Sequence, residues 1–286
     1  MYQLFQSLSS GETELVDIPI PQLNPNNLLI STRCSLLSTG TERMLLEFGK
    51  SNYLQKALKQ PERLNEVSEK IKNDGLLPTI EAVASKLNQP IPLGYCNAGV
   101  VIGVGKNVAE FKIGDRVISN GPHAEIVSVS KNLCAKIPNN VSYEKASFCV
   151  IASIGLQGIR LANPTFGETF LVSGLGLIGL MTAQLLKSNG CNVIGLDPDE
   201  EKCKLAQNYG IDTINSDSEA SLSNLFQKTN GIGVDGVIIT ASTSSGVTFA
   251  FSIASLPAMT PISANIDNSS ISLAGISGFI KLGSRA

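Results

Sequence analysis

Residues Thr169–Asp197 read TFLVSGLGLIGLMTAQLLKSNGCNVIGLD. An apolar run, Phe170-Leu171-Val172, meets the turn Gly174-Leu175-Gly176-Leu177-Ile178-Gly179. Apolar residues at helical spacing follow, and a second run, Val193-Ile194-Gly195-Leu196, ends on Asp197. Strand, glycine-rich turn, helix, strand and terminal acid in this order form a dinucleotide-binding fingerprint. Gly174 permits the tight turn, Gly176 clears space for a pyrophosphate, and Gly179 lets the helix pack on the sheet. The helix start offers free N–H groups and partial positive charge to that pyrophosphate. Asp197 stands where an acid accepts from the adenosine ribose hydroxyls. Its charge opposes a 2′-phosphate, so NAD is expected over NADP. The alternative reading is a structural turn in an ordinary α/β domain. The expected cofactor-binding residues are therefore Gly174, Leu175, Gly176, Leu177, Ile178, Gly179 and Asp197, joined by Ser242 just past the run Val237–Thr240.

Outward from this stretch the pattern alternates strand and helix. Helices are expected at Ile178–Ser188, Glu200–Asn208 and Ser221–Lys228, and strands near Thr213-Ile214 and Val237–Thr240. Gly190 and Gly210 sit where helix ends want glycine. Such alternation calls for a doubly wound, parallel-sheet α/β domain. Asp199, Glu200 and Glu201 suit the first turn of the next helix, where the helix dipole favours acids. Lys202 could reach the adenosine ribose or lie on a solvated face. After Gly236 the only charge before Lys281 is Asp267, and neither helical nor strand period is clean.

The first half reads differently. Short strand-like runs, Leu15–Ile20, Leu28–Leu37, Gly99–Gly105, Gly114–Ile118, Ala124–Val129 and Leu133–Ile137, suggest a partly open β-barrel. Between Thr41 and about residue 90, apolar residues recur at helical spacing, as in Met44, Leu45 and Phe48 and again in Leu64, Val67 and Ile71. A helix over Glu144–Leu161 would lead into the second domain. The expected organisation is a 1–145 domain with a helical insert over 41–90, then a 146–286 nucleotide-binding domain whose last part, 246–286, is unassigned.

The chain has 286 residues, net charge -2 and 43% hydrophobic content. These values fit a globular α/β protein and leave no electrostatic footprint for nucleic acid. No apolar run reaches the ~18 residues of a membrane span. The N-terminus lacks a basic start and apolar core, so a cytoplasmic location is expected. The six cysteines, Cys34, Cys96, Cys134, Cys149, Cys191 and Cys203, form no CxxC pair and read as small hydrophobes.

AGVVIGVGKNVAEFKIGDRV, HAEIVSV, LCAKIP and the Thr169–Asp197 stretch together resemble the medium-chain dehydrogenase/reductase superfamily. That resemblance implies a chaperonin-10-like catalytic domain followed by a Rossmann domain. The insert over 41–92 and the following LGYCNAGVV are more particular. They resemble the dehydrogenase half of bi-domain oxidoreductases, many linked to sugar metabolism.

Zinc-dependent members carry a cysteine-led tetrad, which here reads Thr39-Gly40-Thr41-Glu42. Their Gly-His-Glu motif reads Gly94-Tyr95-Cys96, the third ligand position falls near Ile151 with Cys149 close by, and the four-cysteine structural loop is missing. The resemblance is thus to zinc-independent members such as the quinone oxidoreductases, and no bound metal is expected. Relatives also continue through further strands and return to complete the catalytic domain. Residues 246–286 lack that pattern, so a chain truncated or altered at its C-terminus is expected, with an open parallel sheet edge covered by a partner or a second copy.

Without a metal, hydride transfer needs a hydrogen-bond donor for the substrate oxygen. Tyr95 and Thr41 are the catalytic candidates. Tyr95 could instead pack the cleft wall, and Thr41 with Glu42 could start a helix. His123, the single histidine, is conceivable as a general acid/base, and otherwise reads as a structural residue in a turn, since catalysis also needs a positioned partner. Asp115-Arg116 reads as a local fold element. The expected activity is NAD(H)-dependent, zinc-independent hydride transfer to or from a carbonyl, alcohol or activated alkene of a small molecule, with sugar derivatives among the expected substrates. The rival reading is a nucleotide-binding fragment or scaffold without turnover.

Overall fold

The computed structural model describes residues 1–7, 10–38, 40, 42, 89–216 and 221–241, and the backbone of strands Pro261–Asn265 and Gly278–Leu282. Nearly all of the helical insert and the rest of 242–286 lie outside these residues, as do Thr39 and the expected site residues Thr41 and Ser242. The chain divides into two compact units, Met1–Val150 and Ile151–Ala286.

The first unit is antiparallel. Strands β1 (Tyr2–Gln6), β2 (Thr13–Asp17) and β4 (Ile91–Pro92) form a small sheet in the order β2-β1-β4. Strands β3 (Asn27–Ser35), β5 (Asn97–Val104), β6 (Arg116–Ser119), β7 (Ile126–Ser130) and β8 (Cys134–Lys136) form a second, ordered β7-β3-β5-β6-β8. A bridge between Gln3 and Ala124 joins the two sheets. Buried Leu28, Ile30, Val101, Val117, Val127 and Val129 fill the larger sheet's inner face. On β3, burial alternates along Leu28, Leu29 and Ile30, as a half-covered strand requires. Its ladder with β5 slips between Leu29 and Ile30 and again between Thr32 and Cys34. Such bulges bend a strand and re-aim the side chains beyond them. Asp115-Arg116 proves to be the expected fold element. Lys136 binds the Asp115 carboxylate at 2.9 Å, and the Arg116 guanidinium donates to the Val141 carbonyl at 2.6 Å while stacking on Tyr143.

The expected single helix over Glu144–Leu161 is split at Phe148. Helix α1 (Tyr143–Ser147) starts on Ser142, whose hydroxyl accepts the Lys145 N–H, and α2 (Cys149–Ala162) follows.

The second unit holds β9 (Thr169–Ser173), α3 (Leu177–Ser188), β10 (Asn192–Asp197), α4 (Glu200–Asn208), β11 (Asp212–Asn215), α5 (Ser221–Lys228) and β12 (Gly236–Ile239). Their four strands are parallel in the order β11-β10-β9-β12, so the winding reverses direction between β9 and β12. Strand β9 is buried on both faces. Phe170 and Val172 pack with Ala183 and Leu186 of α3 and Ala206 of α4, while Leu171 packs with Leu225 of α5. This is why its sequence is a continuous apolar run without alternation. In α2, a Cβ on Gly155 would stand 3.4 Å from the Thr182 Cα, so α2 and α3 cross closely.

The tail corrects one expectation. The outer edge of β12 is not bare, because β14 (Gly278–Leu282) pairs with it antiparallel and β13 (Pro261–Asn265) pairs with β14. The sheet is therefore parallel at its centre and antiparallel at one side. Among the described residues no helix is long and apolar enough to cross a membrane.

Candidate functional site

In the second unit the site lies at the carboxyl ends of β9, β10 and β12. Loops at this point in such sheets diverge and leave a crevice. Gly174 sits at φ +96, a conformation side chains rarely adopt, and a Cβ there would stand 2.7 Å from the Ala241 N. Thr240 closes the end of β12 onto β9, its hydroxyl donating to the Gly174 carbonyl at 2.7 Å and its N–H to the Ser173 carbonyl at 2.8 Å. Gly179 carries no side chain because the Gly174 carbonyl lies directly against it. Leu175 is fully buried, with its side chain against Gly195 of β10. It contributes to the site through its backbone alone.

Gly176 differs from the other two glycines of the turn. Its φ of -69 and ψ of -170 suit any residue, and a Cβ placed on it meets nothing within 4 Å. It caps α3 without a side chain, leaving the first-turn N–H groups of Leu177, Ile178 and Gly179 without intrahelical acceptors. Nothing in the described protein requires a glycine at 176.

Asp197 is buried, with 4% of its surface exposed. Its Oδ2 accepts the Leu175 N–H at 2.7 Å and its Oδ1 accepts the Asp199 N–H at 2.9 Å. Lys202 Nζ approaches Oδ1 to 3.5 Å. The carboxylate thus ties the end of β10 to the glycine turn. Lys202 is not simply solvated, since it is paired here and half-exposed. Asp199 caps α4 by accepting the Glu201 N–H at 3.0 Å, with Glu200 and Glu201 in the first turn. Burial, followed by the Asp197 charge, pushes the Cys203 thiol above its ordinary value.

In the first unit three residues that the sequence left apart come together. The His123 Nδ1 lies 2.8 Å from the Ser35 hydroxyl, and its Nε2 lies 3.2 and 3.3 Å from the two Glu42 oxygens. Glu42 also accepts the Ser38 N–H at 2.9 Å, and its own N–H donates to the Ser38 carbonyl, so it closes a helical turn that begins at Ser38, while Thr41, the expected cap, lies outside the described residues. The imidazole lies against Gly94, where a Cβ would be 2.6 Å from the ring and φ is +88. Tyr95 follows directly and is partly buried, and Cys96 beside it is fully buried. Neither the structural reading of His123 nor its acid/base alternative foresaw these partners. No local signal in the sequence announces them, because the partners come from separate segments.

Among the described residues there is no group of three or more His, Cys, Asp or Glu side chains placed to hold a metal. Cys96 is buried, Cys34 intermediate and Cys149 exposed. Among the described residues this donor set does not fit a zinc site.

A sequence profile described as "Alcohol dehydrogenase GroES-like domain" matches residues 73–173, and one described as "Zinc-binding dehydrogenase" matches 178–259. D-guloside 3-dehydrogenase of Escherichia coli is 35% identical over 124 residues, covering 42% of this chain and 35% of that protein. D-xylulose reductase of Morganella morganii is 29% identical over 182 residues, covering 52% and 54%. The chain thus spans about a third to a half of the length of these curated relatives. Among solved structures, alcohol dehydrogenase TADH from Thermus sp. ATN1 superposes with TM-score 0.68 at 18% identity, covering 88% of this chain and 74% of that one. A quinone oxidoreductase from Pseudomonas syringae pv. tomato DC3000 gives 0.58 at 21% identity, covering 82% and 64%. At these identities the likeness is one of fold. With two profiles matched in succession, an antiparallel unit followed by a parallel sheet wound around β9, and the glycine turn at the sheet's switch point, the chain belongs to the medium-chain dehydrogenase/reductase superfamily.

Proposed function

We propose that this chain is an NAD(H)-dependent oxidoreductase that works without zinc on a small sugar or polyol. The observation that carries the reading is Gly176. Gly174 and Gly179 are required by the turn and by packing, whereas Gly176 faces open space in a conformation any residue can take. A missing side chain with no internal reason points to a ligand that passes there, and a pyrophosphate is what fits beside unpaired helix N–H groups. Gly174, Leu175, Gly176, Leu177, Ile178 and Gly179 would hold the pyrophosphate through backbone N–H groups. The two Asp197 oxygens each accept a single backbone N–H, which leaves lone pairs for ribose hydroxyls. The negative charge there favours NAD over NADP. When bound, the nicotinamide would supply the hydride chemistry. The relatives named for D-guloside and D-xylulose support a polyhydroxylated substrate, and the Tyr95 and Cys96 replacements support chemistry without a metal.

Titration with NADH and NADPH tests the reading. The chain has no tryptophan, so nicotinamide fluorescence is free of energy transfer from that source. NADH is expected to bind more tightly than NADPH, and a sugar and polyol panel is expected to show turnover. Failure to bind either cofactor would sink the proposal. Binding without turnover would favour a nucleotide-binding scaffold.

A further inference from the structure

We propose that Thr240 is a positioning residue for the cofactor: together with Asp197 it grips the one peptide group between Gly174 and Leu175 and so fixes the glycine turn in its binding form. The inference rests on the nucleotide-binding part of the reading above.

Secondary structure does not hold that peptide group. It lies between the end of β9 at Ser173 and the start of α3 at Leu177, outside both the strand ladder and the helix. Gly174, at φ +96, lacks the Cβ that restricts other residues, so the peptide plane can rotate about its flanking bonds at little steric cost. Side chains from the strands on either side of β9 take over. Just past β12, the Thr240 hydroxyl donates to the Gly174 carbonyl at 2.7 Å. At the end of β10, Asp197 Oδ2 accepts the Leu175 N–H at 2.7 Å. This carbonyl and this N–H belong to a single conjugated unit. A donor at one end and a carboxylate at the other polarise it in the same sense, so each bond strengthens its opposite number.

The sheet does not need the hydroxyl. The Thr240 and Ala241 N–H groups already donate to the Ser173 carbonyl at 2.8 and 3.1 Å. The hydroxyl lies 3.1 Å from that same carbonyl, but its one proton goes to the nearer Gly174 oxygen. Gly179 makes room for the pair, since a Cβ there would stand 2.7 Å from Thr240 Oγ1 and directly against the Gly174 oxygen. A flipped peptide would aim its carbonyl at the Asp197 carboxylate and lose both bonds, so the grip selects one orientation. The N–H groups of Leu177, Ile178 and Gly179 follow within the same turn and helix start, so their direction is set in advance. A turn that must be ordered during binding gives up affinity.

In the chain without cofactor, Thr240→Val is expected to speed amide hydrogen exchange at Leu175, and Thr240→Ser to restore its protection. Titration with NADH below the melting temperature should show Thr240→Val binding about three- to tenfold more weakly, the worth of one neutral hydrogen bond, and Thr240→Ser binding like the unaltered chain. Thr229→Val is the control. Thr229 Oγ1 donates to the Leu225 carbonyl at 2.9 Å, ahead of β12 instead of beyond it, and its loss should lower the melting temperature while leaving NADH affinity unchanged. In an Asp197→Ala background, Thr240→Val should cost less NADH affinity than it does alone, because the peptide is already released. Losses that add, or exceed their sum, overturn the shared grip, as does unchanged exchange at Leu175. If the unaltered chain binds NADH and Thr240→Val binds it equally, the grip is wrong and the nucleotide reading stands. If the unaltered chain binds no NADH, both fall together.

Discussion

Replacing Asp197 by alanine removes a carboxylate that works before any cofactor arrives. The Leu175 N–H, buried in the described structure, loses its 2.7 Å acceptor. An unsatisfied buried donor costs about 1–3 kcal/mol. The Asp199 N–H is partly buried and loses a 2.9 Å bond, which adds about 0.5–1 kcal/mol. Lys202 is 46% exposed, so its loss of a partner contributes ~0–1 kcal/mol. Relief of the carboxylate's desolvation acts in the opposite direction. The net cost is therefore about 2 kcal/mol, equivalent to a fall in Tm of about 4–8 °C for a chain of this size. Asp197→Asn keeps one oxygen that can turn toward Leu175, and is expected to lose about half as much. Thermal melts of the three proteins without cofactor measure this directly. The affinities then separate the two roles of the residue. In the asparagine variant NADH is expected to weaken by about tenfold, or ~1.4 kcal/mol, while NADPH changes little. If the alanine variant melts with the wild type, the carboxylate does not hold the turn. If cofactor selectivity is unchanged in the asparagine variant, Asp197 does not read the ribose.

The glycine turn offers a paired test. Gly176→Ala should fold and melt normally yet bind NADH at least tenfold more weakly, whereas Gly174→Ala, at φ +96 and against Ala241, should lose about 1–3 kcal/mol of stability; calorimetry with and without NADH distinguishes them. Among the described cysteines, exposed Cys149 should react first with a thiol reagent, and buried Cys96, Cys191 and Cys203 only on unfolding; rapid labelling of Cys203 would contradict its burial and its raised pKa. The Lys136 ammonium, followed by the Lys112 N–H, holds the Asp115 carboxyl below its ordinary 3.8. Its contribution is therefore complete above that value and is lost as pH falls through the lower folded value, so Asp115→Asn should flatten the acid limb of a stability–pH curve by slightly lowering stability at neutral pH while leaving strongly acidic pH nearly unaffected.

Several elements were legible residue by residue. Helices Glu200–Asn208 and Ser221–Lys228 appear with the bounds read from their spacing, because caps and glycines mark their ends. The helix expected over Glu144–Leu161 breaks at Phe148, a stop that carries neither glycine nor proline to announce it. Pairing of Gly278–Leu282 with β12 was not legible. Its segment has almost no charge and no clean period, so only the ladder itself reveals the strand.

The stretch Thr169–Asp197 by itself determined the nucleotide-binding fold, because its strand, turn, helix and acid are contiguous and each makes a local demand on residue type. It could not say which glycine serves the turn and which serves a ligand. That distinction needs the atoms a Cβ would meet, and of the three glycines of the turn only Gly176 would meet none within 4 Å. Nor could it give His123 its partners. Glu42 and Ser35 lie 81 and 88 positions away along the chain, and folding of the antiparallel unit brings them onto one imidazole. Contacts of that range follow from strand register and bulges, which no local spacing encodes.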